Sequence, residues 1–170
     1  MTKEIIFFLP NFALGGAGSS ITKICIGLRK KFNITVLSLT KNYYKSILKK
    51  NDINVIKIDS KRTIKSFKFI NQFIERKISS GSKVIFVSNI NYANVLSCIF
   101  LKKRRNLKIF LIDRTPIKEL FTYKNLTDFL KKKIIYFLIQ KFYHKADKII
   151  GNSTLISNKI ENLCKKKVYT

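Results

Sequence analysis

Acidic side chains are scarce in this chain. Nine Asp and Glu stand against 35 Lys and Arg over 170 residues, a formal net charge of +26. Histidine occurs once, at His144, and the three cysteines, Cys25, Cys98 and Cys164, lie far apart with no C-x-x-C. That leaves no ligand set for a metal and no disulfide framework; a reducing, cytoplasmic setting is expected. No apolar run approaches the ~20 residues needed to span a bilayer. The N-terminal run Ile5 to Leu9 is bracketed by Glu4 and Pro10 and is too short for the apolar region of a signal peptide. Internal repeats, linkers and low-complexity segments are missing, as are the signature motifs of RNP, KH and helix-turn-helix modules.

What is present begins with the charge. Residues 61–170 hold 25 of the basic residues against 6 acidic ones, so the excess lies mainly in the second part of the chain. Such an excess attracts nucleic acid, anionic lipid or phosphorylated substrates. It also has a compositional reading, because codons rich in A and T favour Lys, Asn, Ile, Phe and Tyr, all abundant here, while tryptophan is missing.

The pattern is organised around Leu9-Pro10-Asn11-Phe12-Ala13-Leu14-Gly15-Gly16-Ala17-Gly18-Ser19-Ser20. A short apolar strand ends there and a helical pattern opens, with Ser19 or Ser20 as the expected cap. Glycine lets backbone approach a ligand, and a helix N-terminus offers N–H groups to an anion. The turn is no P-loop, since G-x-x-x-x-G-K-[ST] is not there. It is no dinucleotide fingerprint either: Ile21 stands where the third glycine would, and Leu39-Thr40-Lys41 carries no acid for a ribose. A nicotinamide cofactor is therefore not expected. A plain packing turn of small residues is the competing reading.

Six strands are expected, at Ile5–Leu9, Ile34–Leu39, Asn54–Ile58, Val84–Val87, Leu107–Ile112 and Lys148–Ile150. Helices are expected at Ser20–Lys31, Tyr43–Lys50, Ile64–Ile78, Tyr92–Lys103, Leu126–His144 and Ser153–Cys164. In the longest helix Leu126, Phe129, Leu130, Ile134, Phe137 and Leu138 form the apolar stripe. Most strands are continuous apolar runs that alternate with helices. This predicts an α/β domain with a parallel sheet covered by helices on both faces, of Rossmann type. Ligands of such sheets bind outside the carboxyl ends of the strands. There stand the glycine turn, Ser88-Asn89-Ile90-Asn91, Asp113-Arg114-Thr115 and Gly151-Asn152-Ser153.

Four segments, in order, resemble the N-terminal domain of the GT-B fold glycosyltransferases of family 4, the retaining "group 1" type. Pro10–Gly18 is similar to the P-x-x-x-G-G-A-E turn, with Gly18 in place of the Glu. Val87–Leu96 is similar to an S-F-x-x-x-A-N-x-L segment. Ile112–Pro116 is similar to an S-E-R-N-x-P loop, with Asp113 for the Glu, and Ala146–Ser153 to A-D-x-I-I-x-x-S. The resemblance implies one half of a GT-B fold, residues 1–170 being a single N-terminal domain. The C-terminal donor-binding domain, with its E-x7-E-like motif, is expected to be absent, so that these residues are inactive alone. It implies a hexosyltransferase-like transfer from a nucleotide-sugar, a co-substrate and not a cofactor, to a glycan or lipid-phosphate-linked acceptor. The setting would be synthesis of cell-surface polysaccharide or glycoconjugate.

The substrate-binding residues it implies are Gly15, Gly16, Ala17 and Gly18 on the donor phosphate side and Asn89, Asn94, Asp113 and Arg114 on the acceptor side. No catalytic residue or metal ligand is assigned. Asp113 has two readings, a general base or a partner of Arg114, and Asn94 competes with a capping role. Ser153 is expected to cap the last helix and His144 to be solvent-exposed. An anionic membrane surface, at the inner face of the membrane, is a further expected partner through Lys131, Lys132 and Lys133. Two other readings remain: a basic nucleic-acid-binding module, although nucleic acid is not the expected partner, and another Rossmann-type enzyme with a phosphorylated ligand.

Overall fold

A computed structural model describes residues 3–170. The strands are β1 (Lys3–Phe8), β2 (Asn33–Ser38), β3 (Asn54–Lys57), β4 (Lys83–Asn89), β5 (Leu107–Asp113), β6 (Lys148–Gly151) and β7 (Val168–Tyr169). The helices are α1 (Gly16–Leu28), α2 (Lys45–Lys49), α3 (Thr63–Ser79), α4 (Asn91–Phe100), α5 (Leu126–Phe142) and α6 (Thr154–Cys164), with short 3₁₀ turns at Ile117–Phe121 and Tyr143–Lys145. The strands form one sheet in the order β3-β2-β1-β4-β5-β6-β7. Parallel registers run Ile5 to Ile34, Val36 to Val55, Leu111 to Ile149 and Ile149 to Val168. The expected α/β Rossmann-like architecture is what the chain adopts, with helices flanking a parallel sheet.

Two compact units share the chain. The first runs to Val87 and takes in Leu101–Lys108. Its core is aromatic around β1: Phe8 meets the Phe67 ring edge-on at 5.7 Å and lies 6.1 Å from Phe86. On α3, Phe67, Ile70 and Ile74 are buried as the helical spacing requires. A largely buried ion pair, Lys77 to Glu4 at 3.0 Å, ties α3 to β1. The second unit holds Ser88–Phe100 and Ile109–Thr170. Leu111, Ile139, Tyr143, Ile149, Ile156 and Ile160 are buried there.

Several elements differ from the sequence expectation. Helix α1 starts at Gly16, not Ser20; its N-cap is Gly15, so neither Ser19 nor Ser20 caps it. Glycine is a poor helix former, but a Cβ on Gly18 would lie 2.7 Å from the Ala13 carbonyl oxygen and from the Tyr44 ring. Close packing against Tyr44, rather than propensity, sets this helix start. Ser88, Asn89 and Asp113 belong to strands, not loops. Strand β7 is a seventh strand of only two residues, too short to leave a periodic signal. The apolar stripe expected on α5 is there but largely exposed, and Ile139 is the buried residue of that helix.

Candidate functional site

The first local arrangement is the connection from β1 to α1, in the first unit. Pro10 accepts from the backbone N–H groups of Leu39 and Thr40, and the Phe12 N–H donates to Thr40 Oγ1 at 3.3 Å. The Thr40 hydroxyl in turn donates to Asn11 Oδ1 at 3.0 Å. Tyr44 secures the far end: the Gly15 N–H donates to its hydroxyl oxygen at 3.4 Å, and its ring meets Phe12 edge-on. At Gly15 the backbone takes φ 143° and ψ 177°, a region essentially open to glycine alone. Helix α1 then begins with no side-chain cap, its N-cap being a glycine. A Cβ on Gly16 would meet nothing within 4 Å among those residues, and Gly16 is exposed. A cleft of about 540 Å³ lies alongside, lined by Pro10, Asn11, Thr40, Lys57, Asp59 and Lys61 among others.

The second arrangement belongs to the second unit, where β4 hands over to α4 and β5 ends. Asn89 is fully buried, and Ile90 takes φ 79°, a strained value for a β-branched residue. Asn91 and Asn94 follow on α4, both buried. Asn94 Nδ2 donates to the Ile112 carbonyl at 3.0 Å and ties α4 to β5. Asp113, 1% exposed, closes β5. Its carboxylate accepts from the Tyr143 hydroxyl at 2.9 Å and from the Thr115 N–H at 3.4 Å. The Asn91 amide nitrogen, in the orientation that satisfies its neighbours, donates to both carboxylate oxygens.

Burial pushes Asp113 up to about 6 from the usual 3.8, against the pull of Tyr143, the Thr115 and Arg114 backbone and Asn94. Tyr143 is driven well above its ordinary value by burial and then by the Asp113 charge. Burial likewise lowers the half-buried Arg114 guanidinium. Ser88 Oγ, Asn89 Oδ1, Asn89 Nδ2 and Asn94 Oδ1 are among the buried polar atoms that find no hydrogen-bond partner among the described residues. Unpaired groups of this kind cost about 1–3 kcal/mol each. Here they are two acceptors, one donor and a hydroxyl, all enclosed where β4 ends and α4 begins.

Of the residues expected from sequence, Gly15, Gly16, Ala17 and Gly18 lie in the first arrangement, and Asn89, Asn94, Asp113 and Arg114 in or beside the second. The sequence gives no hint of Tyr143, and it places Asn91 and Ile90 at a strand end without a role. Tyr143 and Asn91 are the side chains that donate to Asp113. Ser153 caps α6 by accepting from the Ile156 N–H, as expected, and His144 is exposed. Cys25 and Cys98 are buried and pushed up to about 12 by burial. Among the described residues no three His, Cys, Asp or Glu side chains gather to hold a metal, and no helix is long and apolar enough to cross a membrane.

No family model matches the chain, and no curated protein matches it in sequence. Solved structures do resemble it in fold. The Anabaena protein HepE, crystallised with UDP-glucose, superposes with a TM-score of 0.67 at 16% identity, over 98% of this chain and 43% of that one. A glycosyltransferase from Rickettsia africae gives 0.60 at 16% identity, over 98% and 42%. A putative UDP-N-acetylglucosamine 2-epimerase from Listeria monocytogenes gives 0.57 at 7%, over 99% and 44%. The chain thus spans less than half the length of each. Its fold is the α/β Rossmann-like fold found in these GT-B structures.

Proposed function

We propose that residues 1–170 are the acceptor-side, N-terminal half of a retaining glycosyltransferase of family 4. The enzyme moves a sugar from a nucleotide-sugar to a glycan or lipid-phosphate-linked acceptor, in synthesis of cell-surface polysaccharide or glycoconjugate, at the cytoplasmic face of an anionic membrane. Such an enzyme also needs a donor-binding Rossmann domain, so residues 1–170 by themselves should turn over no sugar. The observation that carries the reading is the β1–α1 turn: glycine-only backbone at Gly15, open space at Gly16 and an uncapped helix N-terminus, in a fold shared with glycosyltransferases. The backbone of Gly15, Gly16, Ala17 and Gly18 approaches the donor phosphate or sugar, where N–H groups and the helix dipole stabilise negative charge. Asn89 and Asn94 belong to the acceptor side; both are fully buried and keep polar atoms that lack partners among the described residues. Asp113 holds Asn91 and Tyr143 in position, and Arg114 offers a planar fork to an acceptor phosphate.

Ligand-observed NMR on the purified chain tests this with a panel of nucleotide-sugars, glycans and lipid-phosphate-linked sugars. Saturable binding that Asn89→Ala or Gly16→Val removes supports the reading. Steep, salt-sensitive binding to any oligonucleotide, with none to the sugar panel, overturns it in favour of a nucleic-acid module.

A further inference from the structure

Helix α5 turns its apolar line toward water. Leu126 is 74% exposed, Leu130 53%, Ile134 57% and Phe137 57%. At about 100° per residue these four fall within an arc of roughly 80°, diametrically opposite the buried Ile139. A soluble helix places its polar residues on that line.

The charges around the line are of one sign. The Lys133 ammonium lies over the Phe129 ring at 5.7 Å and the Lys141 ammonium over the Phe137 ring at 5.9 Å, so cations sit directly beside the apolar line. Lys145 stacks over Phe142 at 4.6 Å, and Lys131 flanks the other side. Asp128 is the single acid of the helix, and it is engaged by Lys132 at 2.9 Å. Phe121 and Tyr123, both exposed, precede the helix and pack edge-on against Tyr136 and Phe129.

A second copy of the chain would bring the same lysines against these ones. The occupant that matches an apolar line rimmed by cations is an anionic bilayer, and no other feature of α5 opposes it: at 17 residues and with its lysines, the helix does not span a membrane.

We infer that α5 lies in the interface of an anionic bilayer, with Leu126, Leu130, Ile134 and Phe137 among the upper acyl chains and Lys131, Lys133, Lys141 and Lys145 at the level of the lipid phosphates. This rests on the membrane part of the reading above and deepens it, since charge alone calls only for surface attraction.

The chain has no tryptophan, so Phe137→Trp makes a single fluorescent reporter, with Phe69→Trp on α3 as its control. The probe is vesicles of zwitterionic lipid with and without roughly a third of phosphatidylglycerol, at low and physiological salt. The expected result is a blue shift and quenching by brominated acyl chains for Phe137→Trp on acidic vesicles only, with Phe69→Trp unchanged. The triple variant Leu130→Gln, Ile134→Asn, Phe137→Gln should bind acidic vesicles at least tenfold more weakly. These positions are exposed, and circular dichroism checks that the variant keeps its fold. Equal binding by the triple variant overturns insertion and leaves electrostatic docking standing. No binding by the native chain overturns both, without touching sugar recognition, which the NMR panel reads separately. Loss in the triple variant of a dimer formed by the native chain, with no vesicle binding, makes the line a contact between copies and also overturns the inference.

Discussion

Two strand-to-helix turns of this chain enter the left-handed half of backbone space with opposite residues. The β1–α1 turn does so at Gly15, with φ 143°; the β4–α4 turn does so at Ile90, with φ 79°. Glycine adopts its conformation without steric cost, whereas a β-branched residue stores strain of about 1–3 kcal/mol. The first turn therefore needs little around it, and its helix start is uncapped and open. The second is over-determined by its neighbours: Asn91 reaches Asp113, Asn94 reaches the Ile112 carbonyl, and the Asn94 N–H donates to the Ile90 carbonyl at 2.9 Å. One turn exposes backbone. The other clamps buried side chains, and the clamp holds Ile90 in place.

The largest expected effect lies in the clamp and depends on pH. Asp113 rises from 3.8 to about 6 in the fold, so between these values the native state binds more protons than the unfolded chain. Its contribution to stability is full below about pH 4 and is lost as pH rises through about 6. At about 1.36 kcal/mol per pH unit, this reaches at most roughly 3 kcal/mol. Urea unfolding of native protein and Asp113→Asn from pH 4 to 8 should show the variant gaining on the native chain up to about pH 6, then running parallel. A constant difference across the range would mean that Asp113 titrates normally.

The open turn is broken next. Gly15→Ala should cost about 2 kcal/mol, because its φ and ψ admit little but glycine. Gly16→Ala, with helical backbone and free space, should stay within about 0.5 kcal/mol. Thermal unfolding of both measures the contrast, and equal losses would assign the turn to packing alone.

Tyr143→Phe sharpens the clamp. Its hydroxyl favours the Asp113 carboxylate, so the variant should move the Asp113 midpoint upward by roughly one unit, about 1.4 kcal/mol. Carboxyl-carbon NMR titration reads it directly, and a downward move would reverse the assigned role.

The smallest effect is a gain. Ile90→Gly relieves the strain at φ 79° but adds freedom to the unfolded chain, leaving a net stabilisation of about 0.5–1 kcal/mol. Calorimetry that finds a loss would mean that Ile90 is held without strain.

The alternation of strand and helix was legible because strands buried on both faces are written as continuous apolar runs, such as Ile5 to Leu9 and Val84 to Val87. The strand-end segments were legible through the fold's own rule for ligands. Their roles were not. Asn89 and Asp113 looked like loop residues, since a polar residue that ends a strand cannot be told from one that begins a loop. Tyr143 carried no signal of its own, because what makes it a partner is a carboxylate 30 positions away.

The sequence by itself determined the α/β class and the alternation of strands with helices, both of which follow from local periodicity. Only the tertiary structure decided that Gly16 to Gly18 open a helix, that Ile90 is strained, that Asn89 and Asp113 are buried, and that the α5 stripe faces outward. Periodicity records that a helix has an apolar face. Which face is covered depends on what packs against it, and α5 turns Ile139 inward while Leu126, Leu130, Ile134 and Phe137 face out.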